Sequence, residues 1–172
     1  ADDLLNRARQ STPQAEVAIG ITQAEMQLER GQLEPCLATL LHLRRQAPKH
    51  THVIRLLKDT YLKLEDWKGL TDLLPELKRL QAMNADELEK LERQCYLHQL
   101  ELSVSSLPDS ADAHERLRSL SRCWQSVPQH LLRDPALISR YTDLMIEIGA
   151  EADAETMLRD LIKRKWDAHL VE

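Results

Sequence analysis

Phenylalanine is absent from this chain of 172 residues, tyrosine and tryptophan occur three times each, and glycine only four times. So few glycines cannot serve the many tight turns of a β-sandwich or barrel, nor a glycine-rich nucleotide loop. Aromatic and β-branched residues, which strands favour, are scarce as well. No apolar run approaches the roughly 20 residues that span a bilayer, and the N-terminus lacks the apolar core of a signal peptide. A basic excess is missing too. Against 23 Lys and Arg stand 28 Asp and Glu, giving a net charge of −5 and a pI near 5.8, which argues against a general nucleic-acid binder. Cys36, Cys95 and Cys123 are an odd, widely spaced set, read as reduced thiols rather than a disulfide framework. Gly-x-Ser-x-Gly, His-Glu-x-x-His and phosphate-loop motifs do not occur.

What is abundant is leucine, at 32 positions, together with Ala, Glu, Gln, Arg and Lys. These are strong helix formers, and the fold class they imply is all-α. Apolar residues recur at helical spacing from about Gln14 to Arg30, through Val17, Ile21, Ala24 and Leu28. Gly31 breaks the pattern, and a second helix is expected from Pro35 to Ala47, with Pro48 just past its end. Thr51 to Leu64 and Trp67 to Gln81 follow as a second pair, and such short connections imply antiparallel neighbours.

A shift of 34 residues superposes the two pairs: Val17 falls on Thr51, Gly20 on Ile54, Leu33 on Trp67, Cys36 on Leu70, Leu40 on Leu74 and Leu43 on Leu77. The last segment enters the same register from Pro135, with Ile138, Tyr141, Thr142, Met145, Ala154, Leu158 and Leu161 at matching places and Gly149 as the break. Between them lies a longer unit. A helix capped by Asn84 or Asp86 reaches about Ser103, a loop runs to Ser110, a helix spans Ala111 to Cys123, and a short stretch after Ser126-Val127-Pro128 ends at Arg133. The chain is read as one domain over 1–172, with units at about 14–48, 51–82, 84–133 (irregular) and 135–168.

A helix–turn–helix period of this length resembles the tetratricopeptide repeat. Tyr61 stands at that pattern's late aromatic position, Cys36 at its small position and Pro48 at its closing proline; Lys58, Leu70, Leu77 and Ala82 depart from it. The resemblance implies an α-solenoid of eight to nine helices in a right-handed superhelix. Its functional surface would be the concave face lined by the first helix of each unit. In the second repeat, 51–82, the groove positions are His52, Arg55, Asp59, Leu62 and Lys63; in the last repeat they are Ala136, Ser139, Asp143, Ile146 and Glu147. Of these, His52, Arg55, Asp59, Lys63, Ser139 and Asp143 are the candidate partner-binding residues.

Longer strings narrow the resemblance. Tyr61-Leu62-Lys63-Leu64-Glu65-Asp66-Trp67 leads through Leu70 to Asp72-Leu73-Leu74-Pro75, and Leu91-Glu92-Arg93-Gln94-Cys95-Tyr96 and Leu161-Ile162-Lys163-Arg164-Lys165-Trp166-Asp167 follow. In this order, and with the long middle unit, the chain resembles the tetratricopeptide region of the HemY family, bacterial inner-membrane proteins associated with late protoheme synthesis. That resemblance implies two N-terminal membrane helices and further repeats outside this sequence, which begins at Ala1 without methionine, and a soluble segment facing the cytoplasm. A flavin-dependent protoporphyrinogen oxidase shares the name in some bacteria, but Gly-x-Gly-x-x-Gly does not occur here.

The expected function is therefore a non-enzymatic scaffold that gathers haem-synthesis proteins, with no catalytic residues and no metal. A porphyrin or haem carrier and a tetratricopeptide regulator unrelated to haem are the alternatives, and an enzyme site hidden near Glu101 or His114 is a third. Haem could be ligated by Cys95 and His98, three apart on one helix, although core packing is the favoured account of Cys95. Cys-Pro and Cys-x-x-Cys-His haem motifs do not occur. His50 and His52, two apart, do not share a helix face. Arg116, Arg118 and Arg122, with Lys163-Arg164-Lys165, could meet anionic lipid. Trp67 and Trp166 are expected to plug spaces between hairpins, and Trp124 to be the exposed one.

Overall fold

The computed structural model describes residues 2–169, with side chains over 14–160 and at Lys163. Among them are eight α-helices and no strand: α1 (Asp2–Glu29), α2 (Leu33–Gln46), α3 (Thr51–Leu64), α4 (Trp67–Arg79), α5 (Ala85–Ser105), α6 (Ala113–Gln125), α7 (Pro135–Ile148) and α8 (Glu151–His169). One 3-10 turn, Gln129–Leu131, precedes α7. The chain divides into two compact units, Ala1–Glu92 and Arg93–Glu172.

In the first unit α1 packs on α2, α2 on α3 and α3 on α4, and α1 also touches α3. The 34-residue register is visible in the packing: Cys36 and Leu70, Leu40 and Leu74, and Leu43 and Leu77 are all buried. Leu43 can approach α1 because Gly20 has no side chain there; a Cβ would lie 2.7 Å from Leu43 Cδ2. α3 is buried on two sides, through Val53, Ile54, Leu56, Leu57, Thr60 and Tyr61, because neighbours cover it on both. Glu65 ends it in the left-handed conformation, with its N–H on the Leu62 carbonyl, and the Asp66 carboxylate then accepts the Gly69 N–H and starts α4. Arg44 on α2 pairs with Glu76 on α4.

α1 starts well before the expected Gln14. The preceding stretch is rich in Ala, Leu, Arg and Gln, and Asp2 and Asp3 suit a helix start, so propensity extends the helix where apolar spacing is lost. Pro75, inside α4, is tolerated on an exposed face.

In the second unit α6 packs on α7 and α7 on α8. Leu100, Leu120, Val127, Leu131, Leu137, Tyr141, Leu144, Met145 and Ala154 form the core. The extra length of the third repeat, 84–133, has two uses. α5 has 21 residues against 14 in α3, and the link between α6 and α7 carries Val127 and Leu131 inward as apolar plugs. Asn84 rather than Asp86 caps α5, accepting the Glu87 N–H at 2.8 Å; Asp112 caps α6 and Asp134 caps α7. Gly149, at φ +88°, ends α7, with its N–H on the Ile146 carbonyl and that of Ala150 on Met145.

Two expectations need correction. Trp124 is half-buried and stacks on Tyr141, with ring centroids 4.4 Å apart, because the turn at Ser126 folds the end of α6 over α7. Leu158, placed in the core register, is exposed. Leu161, Arg164, Lys165 and Trp166 lie outside the residues whose side chains are described.

Candidate functional site

The groove positions follow from what is left after packing. On α3, His52, Arg55, Asp59 and Lys63 form one stripe turned away from Val53, Ile54, Leu57 and Tyr61. Three of the four are engaged within the first unit. His52 Nε2 lies 2.7 Å from Glu25 Oε1 on α1, tying the two first helices of the unit together. Arg55 donates to the Ala82 carbonyl just past α4, closing the turn that contains Gln81 at φ +48°. Asp59 takes the Lys58 ammonium at 2.8 Å. Lys63 is exposed.

The second unit brings its positions together differently. Leu97, His98 and Glu101 of α5 and Ala136, Ser139, Arg140 and Asp143 of α7 line a shallow, open depression of about 460 Å³. Ser139 and Asp143 are exposed there, and Asp143 has no ion-pair partner among the described residues. Arg140 is the residue that sequence reasoning missed. Its Nε donates to Glu101 Oε1 and its Nη1 to Glu147 Oε1, both at 3.1 Å. Partial burial works against the charged guanidinium, but the bonds to Glu147 and Glu101 outweigh it and hold Arg140 above its ordinary value. The spacing of Arg140 and Glu147, seven apart on one helix, was a readable signal; the partnership with Glu101 depends on how α5 lies against α7. His98 Nδ1 stands 3.9 Å from Glu101 Oε2.

Beneath this surface Asp134 fixes the start of α7. One carboxylate oxygen accepts the N–H groups of Ala136 and Leu137 at 2.9 and 3.2 Å, and the other accepts from Arg93 Nε at 2.5 Å. Burial alone would raise this carboxyl, but Arg93 and the two backbone donors bring it below the usual carboxylate range.

The haem candidates are not arranged as an open ligand pair. Cys95 is fully buried, whereas His98 lies on the groove surface with its side chain 42% exposed. No group of three or more His, Cys, Asp and Glu poised for a metal occurs among the described residues. Glu101 faces Arg140, and His114 Nε2 lies 2.8 Å from Arg118 Nη2 on the open face of α6. No helix among the described residues is long and apolar enough to cross a membrane.

Over 171 residues, 99% of its length, the chain is 23% identical to Protein HemY of Escherichia coli K12, and Protein HemY of Shigella flexneri gives the same figures. The similarity to HemY is distant and runs end to end. The chain spans 41% of the length of these relatives. No family model and no solved structure matches it.

Proposed function

We propose that this chain is a tetratricopeptide-type segment of a HemY-like protein of the bacterial inner membrane, facing the cytoplasm. It acts as a non-enzymatic scaffold in late protoheme and porphyrin synthesis. The observation that carries the reading is the groove of the second unit: Ser139 and Asp143 are exposed side chains that neither packing nor capping requires, displayed on a rigid helix in a chain similar to HemY over almost all its residues. Partner segments dock in that groove, and attachment to the membrane raises their local concentration.

The test uses the full chain as bait in a bacterial membrane extract, beside a Ser139→Arg/Asp143→Arg variant. Arg55 is unsuitable for reversal because it also closes the turn after α4. Haem-synthesis enzymes should be enriched by the parent chain and lost with the variant. Equal recovery with both baits, or no haem-synthesis enzyme with either, refutes the scaffold reading.

A further inference from the structure

The charges on the groove of the second unit are unbalanced in a way that selects a partner. Glu101 and Asp143 line the depression with Arg140 and His98, and Glu147 follows one turn further along α7, so three carboxylates stand against one arginine and one histidine. Arg140 lies between Glu101 and Glu147, and these two carboxylates already balance its guanidinium charge. Asp143 has no ion-pair partner among the described residues, and it stands four residues from Glu147 on the same helix face, a like-charge spacing that costs α7 a little stability. Ile146, one turn along α7 from Asp143, is 48% exposed, and Leu97 and Ala136 are the apolar residues that line the depression. A surface that keeps an uncompensated carboxylate next to an uncovered isoleucine is complementary to a segment presenting a cation beside an apolar side chain.

We propose that this groove docks a cationic amphipathic segment of a partner protein, with a Lys or Arg of that segment against Asp143 and Glu147 and an apolar residue against Ile146. The proposal rests on the scaffold reading and specifies its partner. Acidic segments are rejected, because Asp143 repels them and Arg140 is already engaged.

Three fluorescein-labelled helical peptides of equal length test it on the full chain by anisotropy: one with Lys and Leu on a shared face, one with Glu in place of Lys, and one with Gln. The Lys peptide should bind at least tenfold more tightly than the Glu peptide, and its affinity should fall several-fold between 50 and 500 mM salt, as expected for exposed charges. Asp143→Lys should abolish the preference and Ile146→Ser should weaken the Lys peptide; both positions are exposed, so circular dichroism should match the parent, and the melting temperature of Asp143→Lys should equal or slightly exceed it. Binding of the Glu peptide as tight as that of the Lys peptide, absence of Lys-peptide binding, or a preference that survives Asp143→Lys overturns the inference. Haem-synthesis enzymes captured with no dependence on salt or on Asp143→Lys sink the charge assignment alone. A retained Lys-peptide preference with no such capture sinks the scaffold reading alone.

Discussion

Asp134 gives the sharpest test of how the second unit holds its groove in place. One carboxylate oxygen caps α7 and the other takes Arg93, while the side chain is only 9% exposed. Asp134→Ala removes both functions. The lost cap costs about 1 kcal/mol, and the lost charge-assisted bond about another 1 to 1.5 kcal/mol, reduced by the water that still reaches Arg93. A total of about 2 to 2.5 kcal/mol is a large share of the roughly 5–15 kcal/mol that holds a domain folded. Asp134→Asn can keep the cap through its amide oxygen but cannot accept from Arg93, so it should cost only about 1 kcal/mol. A double-mutant cycle with Arg93→Gln should return a coupling energy near 1 kcal/mol.

The same group sets the sign of the acid response. Its folded carboxyl lies below the ordinary value, so the unfolded chain takes up this proton first. The stabilisation is complete above about pH 5, clear of the unfolded aspartate value near 3.9, and is lost as pH falls through the folded value. The penalty of Asp134→Ala, measured by urea unfolding and by hydrogen exchange at the Ala136 and Leu137 amides, should therefore shrink on acidification. A penalty that grows as pH falls, or a coupling energy indistinguishable from zero, would falsify the assignment of Asp134 to cap and ion pair.

Further outcomes follow from single residues. Gly69→Ala should destabilise by about 1 to 3 kcal/mol despite alanine's higher helix propensity, because the new Cβ would lie 2.5 Å from the Tyr61 ring; a rise in the urea midpoint would contradict the packing. Gly149→Ala meets nothing within 4 Å and should cost only about 1 kcal/mol, through the left-handed backbone alone, so a much larger loss would point to an unseen clash. Leu120→Ala, fully buried in the second core, should cost about 2 to 5 kcal/mol by denaturant titration, and a loss below 1 kcal/mol would place that leucine outside the core. Burial pushes the Cys123 thiol up, more than its hydrogen bond with Ser103 brings it down, so it should react with a disulfide reagent more slowly at neutral pH than an exposed cysteine. Reaction at the free-cysteine rate in the folded protein would refute that placement.

Helix positions were legible where repetition reinforced them. Thr51–Leu64 coincides with its expected bounds because the apolar spacing, the break at Glu65-Asp66 and the 34-residue register agree there. The third unit was harder, since its register depends on residues such as Val127 and Leu131 that plug the core from a link rather than a helix. Trp124 was misjudged for the same reason: its partner Tyr141 lies on the next helix, and only the path of the intervening link brings the rings together. Exposure of the groove stripe could be read from period alone, but its chemistry could not. Whether a groove side chain is open to a partner depends on what the neighbouring first helix places opposite it, as Glu25 does for His52 and Glu101 for Arg140.

That dependence separates the two units in how open their groove side chains are. On α3 an imidazole, a guanidinium and a carboxylate occupy groove positions, yet each is spent on a neighbour: His52 on Glu25, Arg55 on the Ala82 carbonyl and Asp59 on Lys58. A partner arriving there must break an existing contact for each one it makes, which returns little net free energy for exposed pairs worth about 0–1 kcal/mol each. On α7 the balance differs. Arg140 already bridges Glu101 and Glu147, and among the described residues Asp143 and Ser139 have no competing ion pair or hydrogen bond. A partner then gains a contact at Asp143 without breaking an internal pair there, on a helix whose start is already ordered by the Asp134 cap. Recognition by this chain is therefore expected to concentrate on the second unit, and Asp143→Lys should impair partner binding more than Asp59→Lys, which reverses a carboxylate already paired with Lys58. Equal losses from the two variants would show that the internal pairs of the first unit open readily enough to serve as contacts themselves.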